Sequence, residues 1–309
     1  MRIISFVIPC YRSYNTISDV VAEIDRTMSA HENDDYEIIL VNDCSPDNTI
    51  DVLKNLAENN SHVMAIDMAK NFGQHAALLA GIRHTTGDIV VCLDDDGQTP
   101  PSEAYNLIDK LAEFDVCYAS YEGKKHSAFR NFGSSVNDKM LEIMLDKPKT
   151  LYASSYFAMK RYIADEIVKY TNPYPYIMGL VLRTTNSITS APVNHKERAS
   201  GRSGYSISKL LSLWINGFTA FSVKPLRIAS LMGILCAVIG GIFSIWAVIN
   251  KLTNPAAPIG WTTLIIVLLI IGGMILFVLG MLGEYVGRMY ISMNNSPQYV
   301  IKAKYGHYR

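Results

Sequence analysis

Short apolar runs alternate with stretches whose apolar positions recur every three or four residues. Ile3–Ile8, Tyr36–Val41, Val63–Met68 and Ile89–Leu93 are runs of strand length. Between them Ile17, Val20, Val21 and Ile24, then Ile50, Leu53 and Leu56, then Ala76–Arg83, mark helices. Pro9 stops the first run, and Asn15/Thr16 and Asn48/Thr49 sit where helices need caps. Strand and helix alternate four times with short connections, which predicts an α/β domain on a parallel sheet covered on both faces. A helix over Ser102–Phe114, a strand over Val116–Ser120, an amphipathic helix through Val136, Met140, Leu141, Ile143 and Met144, a strand over Ser154–Met159, a helix over Arg161–Tyr170 and a strand over Ile188–Pro192 follow.

The pattern then changes. Tyr205–Val223 carries apolar residues at helical spacing on one face, among them Trp214, Phe218 and Phe221, flanked by Arg202, Lys209, Lys224 and Arg227. This predicts a helix lying in a membrane interface. Ile228–Ile249 is 22 residues without a charge, roughly 33 Å of helix and long enough for a bilayer core. Ile259–Gly283 is a second uncharged stretch, and the two read as a transmembrane hairpin. Basic residues precede it (Lys224, Arg227) and follow it (Arg288, Lys302, Lys304, Arg309), while its turn has only Lys251, which places both ends in the cytoplasm. Gly240-Gly241 and Gly272-Gly273 would allow close helix approach, within or between chains.

The whole chain of 309 residues is 49% apolar and only 18% charged, with 28 basic and 28 acidic residues. That balance gives no field for nucleic acid. The five cysteines show no metal or redox spacing and read as core thiols in a reducing compartment. No GxGxxG follows the first strand and no GxxxxGK[ST] occurs, which disfavours a dinucleotide fold and excludes a P-loop.

The candidate chemistry sits at the carboxyl ends of the strands, where open α/β sheets bind ligands. Pro9–Ser13, Asn42–Ser45 and Asp94–Gln98 converge there. In the last, a strand runs into three adjacent acids, Asp94-Asp95-Asp96, before Gly97 and the prolines Pro100-Pro101. A divalent cation carrying substrate phosphates would compensate such a cluster. A polar loop is the plainer alternative. A cytoplasmic nucleotide-binding domain tethered to a bilayer suits a water-soluble donor and a lipid-embedded acceptor. A lipid phosphate needs no catalytic base, but it needs guanidinium groups to hold it. Arg130, Arg198 and Arg202 lie before amphipathic segments and could do so, though surface solubility would also account for them.

Several segments together resemble the polyprenyl-phosphate glycosyltransferases of glycosyltransferase family 2: Phe6-Val7-Ile8-Pro9-Cys10-Tyr11, Asn71-Phe72-Gly73-Gln74-His75, Leu93 through Pro101, Glu197 through Ser206, Pro225-Leu226-Arg227 and Leu282 through Arg288. The similarity covers nearly the whole chain. It implies a GT-A α/β domain over 1–204, an interfacial helix over 205–226, two transmembrane helices within 227–286 (about 228–249 and 259–283) and a cytoplasmic tail over 287–309. It implies inverting transfer of a sugar from a nucleotide donor to a polyprenyl phosphate at the bacterial inner membrane. Pro9, Tyr11 and Asp43 would line the nucleobase pocket. Asp94, Asp96 and Gln98 match a DxDxQ motif that holds Mg or Mn and the diphosphate. Arg130 and Ser134 match the lipid-phosphate contacts, Arg198 matches the arginine before the interfacial helix, and Arg202 is placed to add charge. Relatives assemble as tetramers. Alternation along the run turns Asp95 away from the metal and makes it the acid expected to tolerate replacement best.

The chain also departs from the family. Arg12-Ser13 stand for Asn-Glu, Asn42 for the first of two paired acids, Gly204 for a lysine, Tyr121 for an arginine and Ser154 for an acid of the arabinose branch. The last change argues against assuming the same sugar. UDP-glucose is the first expectation for the donor and UDP-GlcNAc the second. A non-catalytic scaffold or flippase partner that keeps only the fold is the alternative function.

Overall fold

The computed structural model describes residues 1–121, 142, 147–149, 151–152, 154–194, 224–253, 260–294 and 296–306. The expected amphipathic helix around 136–144 and the interfacial helix 205–223 lie essentially outside these residues. The chain divides into two compact units, Met1–Leu211 with Ser296–Arg309, and Ser212–Asn295.

In the first unit the apolar runs form strands β1 (Arg2–Cys10), β2 (Asp34–Asn42), β3 (Val63–Met68), β4 (Ile89–Cys92), β5 (Val116–Ser120), β6 (Phe157–Lys160), β7 (Ile188–Pro192) and β8 (Ile301–Gly306). They join one sheet in the order β7-β5-β6-β4-β1-β2-β3-β8. The sheet is mixed, not wholly parallel as expected. β6 runs antiparallel to both β4 and β5, and β8 runs antiparallel to β3. The reversal of β6 has a consequence for function. The residues before it, Ser154 to Tyr156, reach the same rim at which the parallel strands end.

One face of the sheet buries Ile4, Phe6, Ile8, Ile38, Leu40, Val91 and Leu93. Helix α1 (Ile17–Ser29) covers it with Ile17, Val20, Val21 and Ile24, α2 (Thr49–Asn59) with Leu53 and Ala57, and α4 (Ala104–Ile108) with Leu107 and Ile108. The expected helix over Ser102–Phe114 is broken, with 3-10 turns at Pro101–Glu103 and Asp109–Ala112 on either side of α4. On the other face α3 (Gln74–Ile82) lies close against β1 and β2 because position 81 is glycine. A Cβ there would meet Val7 Cγ1 at 2.4 Å and Val41 Cγ2 at 3.1 Å. Helices α5 (Arg161–Ile167) and α6 (Ile177–Thr184) complete the domain.

Within the segment expected as a tail, 287–309, the described residues are ordered into elements. They supply the end of a long helix and then β8, an edge strand whose alternate residues Lys302 and Lys304 are exposed. Charge on an edge strand discourages pairing with other chains. Arg83, at the end of α3, fastens the approach to β8. Its guanidinium donates to Gln298 Oε1 (3.0 Å), Tyr299 OH (3.1 Å) and the carbonyls of Val168 (3.0 Å) and Tyr170 (2.9 Å).

The second unit contains two helices, α7 (Lys224–Thr253) and α8 (Trp261–Met293). Both are longer than the uncharged stretches that announced them. In α8 the ion pair of Glu284 with Arg288 at 2.7 Å, one helical turn apart, lets the helix run on past its apolar segment. Spans Leu226–Asn250 and Ile270–Met293 are long and apolar enough to cross a membrane, with mean hydropathy 2.4 and 1.8. Most of their described apolar side chains face outward, as Leu231 (64% exposed) and Leu276 (71%) show, which suits a lipid solvent. Cys236 Sγ approaches Met274 Sδ at 3.4 Å between the helices. A Cβ added at Gly240, Gly241, Gly272 or Gly273 would meet no atom within 4 Å. Among the described residues no side chain packs closely over these four glycines. All five cysteines are free. Cys10, Cys92 and Cys117 are buried, Cys236 is half-buried, and Cys44 is exposed at the site rim rather than in the core.

Candidate active site

The parallel strands β1, β2 and β4 end together, so the loops 11–13, 43–48 and 94–99 share one rim. Two residues in them adopt left-handed backbone without being glycine, Arg12 (φ 61°) and Cys44 (φ 50°). Such conformations persist where surrounding bonds hold them. Arg12 N–H donates to Ser45 Oγ at 2.8 Å and Asp43 N–H to the Cys10 carbonyl at 3.0 Å, which binds the first two loops together.

Pro9 is buried in β1 opposite Val41, while Tyr11 is 46% exposed with the Arg12 guanidinium 5.6 Å from its ring centre. Asp43 is buried. Its two carboxylate oxygens accept the backbone N–H groups of Phe72 (2.7 Å) and Gly73 (2.9 Å). Burial raises its pKa, and those two hydrogen bonds work in the opposite direction. Gly73, at φ 90°, is the residue before α3, a conformation open to glycine. Asp43 therefore fixes the turn that launches α3. Beside it Asn42 donates to Asp67 Oδ1 at 2.7 Å, both groups being buried. A second acid at position 42 would face the Asp67 carboxylate, so the family departure there has a local cause.

The acidic run is ordered by its own loop. Asp94 N–H donates to Thr99 Oγ1 (3.1 Å), and Gln98 N–H donates to Asp96 Oδ1 (3.0 Å) across Gly97, whose φ is 72°. Asp94 accepts from Gln74 Nε2 at 3.0 Å on one oxygen and from Ser155 Oγ on the other. Burial, then the nearby Asp96 and Asp95 carboxylates, push its pKa up to about 6. Asp95 does turn away from Asp94's partners, as alternation predicts, but not toward solvent. Its Oδ2 accepts the Tyr11 N–H at 3.0 Å and the Ser13 hydroxyl, and its side chain is buried enough to raise its pKa. Asp95 thus ties the β4 loop to the β1 loop, a bond that bears on the expectation that it tolerates replacement best.

Of the expected site residues, Pro9, Tyr11, Asp43, Asp94, Asp96 and Gln98 lie at this rim. Arg130, Ser134, Arg198 and Arg202 lie outside the described residues. Reading the sequence for site residues missed Gln74, Ser155 and Ser13. Gln74 and Ser155 belong to segments that stand out in sequence, but nothing in the sequence shows that both aim at Asp94. Tyr121 also reaches the site. Ser154 Oγ donates to its hydroxyl at 3.3 Å, its ring packs edge-on to Tyr152, and burial pushes its pKa up to about 12.

Among the described residues no three His, Cys, Asp or Glu side chains form a ready-made metal cage. Asp94, Asp96 and Gln98 nevertheless offer hard oxygen donors. Among the described residues the side chains bonded to the half-buried Asp94 carboxylate, Gln74 and Ser155, are neutral. A cation that takes one or two carboxylates and completes its shell with substrate phosphates fits this set.

Two matches decide the family. The profile of "Glycosyl transferase family 2" matches residues 5–168, and that of "GtrB C-terminal hairpin" matches residues 224–289. The chain belongs to glycosyl transferase family 2. It is 30% identical over 304 residues to "Uncharacterized glycosyltransferase YkcC" of Bacillus subtilis (strain 168), covering 98% of this chain and 94% of the relative. It is 32% identical over 305 residues to the "Undecaprenyl-phosphate 4-deoxy-4-formamido-L-arabinose transferase" of Enterobacter sp. (strain 638), covering 97% and 92%. Among solved structures, glucosyl-3-phosphoglycerate synthase from Mycobacterium tuberculosis in complex with phosphoglyceric acid superposes with a TM-score of 0.52 at 18% identity, covering 69% of this chain and 76% of that one. The same enzyme in complex with Mn2+, uridine diphosphate and phosphoglyceric acid gives 0.51 at 18%, covering 69% and 75%. These likenesses are of fold. The protein is thus a family 2 glycosyltransferase with a GT-A α/β domain and a C-terminal membrane hairpin.

Proposed function

We propose that this glycosyltransferase moves a sugar from a UDP-sugar to a polyprenyl phosphate, undecaprenyl phosphate in a bacterial inner membrane, on the cytoplasmic face. The observation that carries the reading is the union in one chain of an acidic family 2 rim and a membrane hairpin. Similarity along nearly the full length to a relative named for undecaprenyl phosphate supports the acceptor, and the uridine diphosphate and Mn2+ named with the M. tuberculosis enzyme support the donor and the metal. Residues 1–204 act as the catalytic domain, 205–226 as an interfacial helix and 227–286 as the span.

Pro9, Tyr11 and Asp43 line the nucleobase side of the rim. Asp94, Asp96 and Gln98 hold Mg or Mn. The bound cation would neutralise the diphosphate, which carries about two negative charges. Arg130, Ser134, Arg198 and Arg202 grip the lipid phosphate, for which the guanidinium fork is suited. An oxygen of that phosphate attacks the anomeric carbon from the face opposite UDP. The new C–O bond forms as the bond to UDP breaks, and UDP leaves with the electron pair. The attacking oxygen is already ionised, so no proton needs to move.

Glucose is the first sugar proposed and N-acetylglucosamine the second. Ser154, a neutral hydroxyl bonded to Tyr121, replaces the acid of the arabinose branch. The scaffold alternative draws on Asn42, Tyr121 and Gly204. Asn42 and Tyr121, however, make specific bonds within the site and do not mark a decayed one. The test is a screen of UDP-sugars with Mn2+ and undecaprenyl phosphate, reading UDP release. One donor is expected to release UDP, and Asp96→Ala is expected to abolish it. No release with any donor would overturn the reading.

A further inference from the structure

Each carboxylate oxygen of Asp94 is held by a different neutral side chain. Gln74 Nε2 donates to Oδ1 at 3.0 Å, and Ser155 Oγ donates to Oδ2. The donors come from opposite sides of the rim. Gln74 is the first residue of α3, and Ser155 lies in the turn that enters β6. Gln74 is itself anchored, because the turn before it is pinned through the Phe72 and Gly73 N–H groups to Asp43 and through Asn71 Nδ2 to the Asp43 carbonyl at 3.1 Å.

We propose that Gln74 and Ser155 are positioning residues which fix the orientation of the Asp94 carboxylate for the divalent cation and so set the metal affinity of the site. The inference rests on the metal role given to Asp94 above. A carboxylate alone rotates about its Cβ–Cγ bond and can present either oxygen. One donor on each oxygen stops that rotation and occupies one lone pair per oxygen, leaving the others to a ligand. The neutrality of both donors matters. A lysine or arginine in either place would neutralise the carboxylate and compete with the cation, whereas an amide and a hydroxyl orient the charge and leave it uncompensated. Groups behind a ligating side chain tune metal affinity in this way. The reversal of β6 gives the arrangement its second half, since it brings Ser155 to the rim where β4 ends.

The test uses the full-length protein in detergent and reads Mn2+ affinity at saturating UDP from the free-Mn2+ electron paramagnetic resonance signal, with UDP affinity in the absence of metal measured alongside. Gln74→Met keeps length and helix propensity but removes the donor. Ser155→Ala removes the other donor, and Ser155→Thr retains a hydroxyl. Gln74→Met and Ser155→Ala are each expected to weaken Mn2+ binding about tenfold, with metal-free UDP affinity unchanged, and Ser155→Thr to stay near the wild type. Melting midpoints confirm that the variants are folded, and Ser155→Ala gives a reading independent of the α3 turn. If the wild type binds Mn2+ with UDP and both donor-less variants bind it as tightly, the positioning role is overturned while the metal site stands. If the wild type binds UDP equally with and without Mn2+, the metal role of Asp94 falls and the inference with it.

Discussion

The backbone N–H of Tyr11 donates to the Asp95 carboxylate at 3.0 Å, which ties the loop after β1 to the loop after β4. The bond makes the middle acid of the run structural. Asp95→Ala leaves the Tyr11 N–H and the Ser13 hydroxyl without their acceptor. Ser13 is buried, and a buried donor deprived of its partner costs about 1–3 kcal/mol, whereas the exposed Tyr11 N–H can turn to water. The expected outcome is a lowered melting temperature together with weakened UDP binding, because Tyr11 sits on the loop that moves. Asp95→Asn, which keeps an acceptor oxygen, is expected to recover part of both losses.

Asn42→Asp restores the family's paired acids and is nevertheless expected to destabilise. It replaces the amide donor to Asp67, now at 2.7 Å, with a second buried carboxylate. Lys302 lies 3.5 Å from Asp67 and can offset only part of the repulsion. The loss should be on the order of 1–3 kcal/mol at pH 7, measured by thermal melting in detergent. Unchanged stability would show that the Asn42–Asp67 bond contributes nothing.

Two half-buried groups at the start of α3 and the end of β4 give opposite pH dependences. Asp94 is pushed up to about 6 by burial and the adjacent acids, so the folded state holds its proton longer than the unfolded chain does. Its contribution is full below the unfolded value near 4 and is lost as pH rises through about 6. His75 is pushed down to about 4 by burial, and its Nδ1 has no hydrogen-bond partner among the described residues. The unfolded chain takes that proton first, so its contribution is present above about 6.5 and is lost as pH falls through about 4. Each is worth up to about 3 kcal/mol, and in the metal-free protein the two slopes oppose each other. Melting midpoints between pH 4 and 6.5 should gain stability with rising pH in Asp94→Asn, relative to wild type, and lose it in His75→Phe. Parallel curves for all three proteins would contradict both assignments.

How much of this was legible beforehand differs by element. The first four strands and three helices announced themselves because their apolar positions fall at strand or helix period. The acidic rim was legible because three carboxylates after a strand demand compensation. The antiparallel course of β6 was not, since strand direction depends on pairing partners remote in sequence. β8 was missed because Ile301–Gly306 alternates lysines with apolar residues at an edge, where one row of side chains stays wet. The partners of Asp95 were hidden for a related reason. Alternation gives the side to which a residue turns, but not what another loop has placed there.

Arg83 predicts a mechanical effect away from the rim. Its bonds to Gln298, Tyr299 and the carbonyls of Val168 and Tyr170 fasten the segment leading into β8. Arg83→Ala is expected to raise hydrogen–deuterium exchange across 298–306 and at the Ala69 amide, which bonds the Val300 carbonyl at 2.8 Å. Arg83→Lys should not restore protection, because an ammonium cannot reproduce a fork that serves several acceptors. Exchange unaltered in both variants would place the hold on β8 in its strand pairing alone.

The central claim is that the acceptor is a phosphate oxygen that is already ionised. It is tested most directly by offering the purified enzyme, with Mn2+ and each candidate UDP-sugar, either undecaprenyl phosphate or undecaprenol, and weighing the lipid products by mass spectrometry. The account predicts one added sugar on the phosphate lipid, none on the alcohol, and no product from Asp94→Ala. A sugar on undecaprenol, or a phosphate lipid left unmodified by every donor, would contradict it.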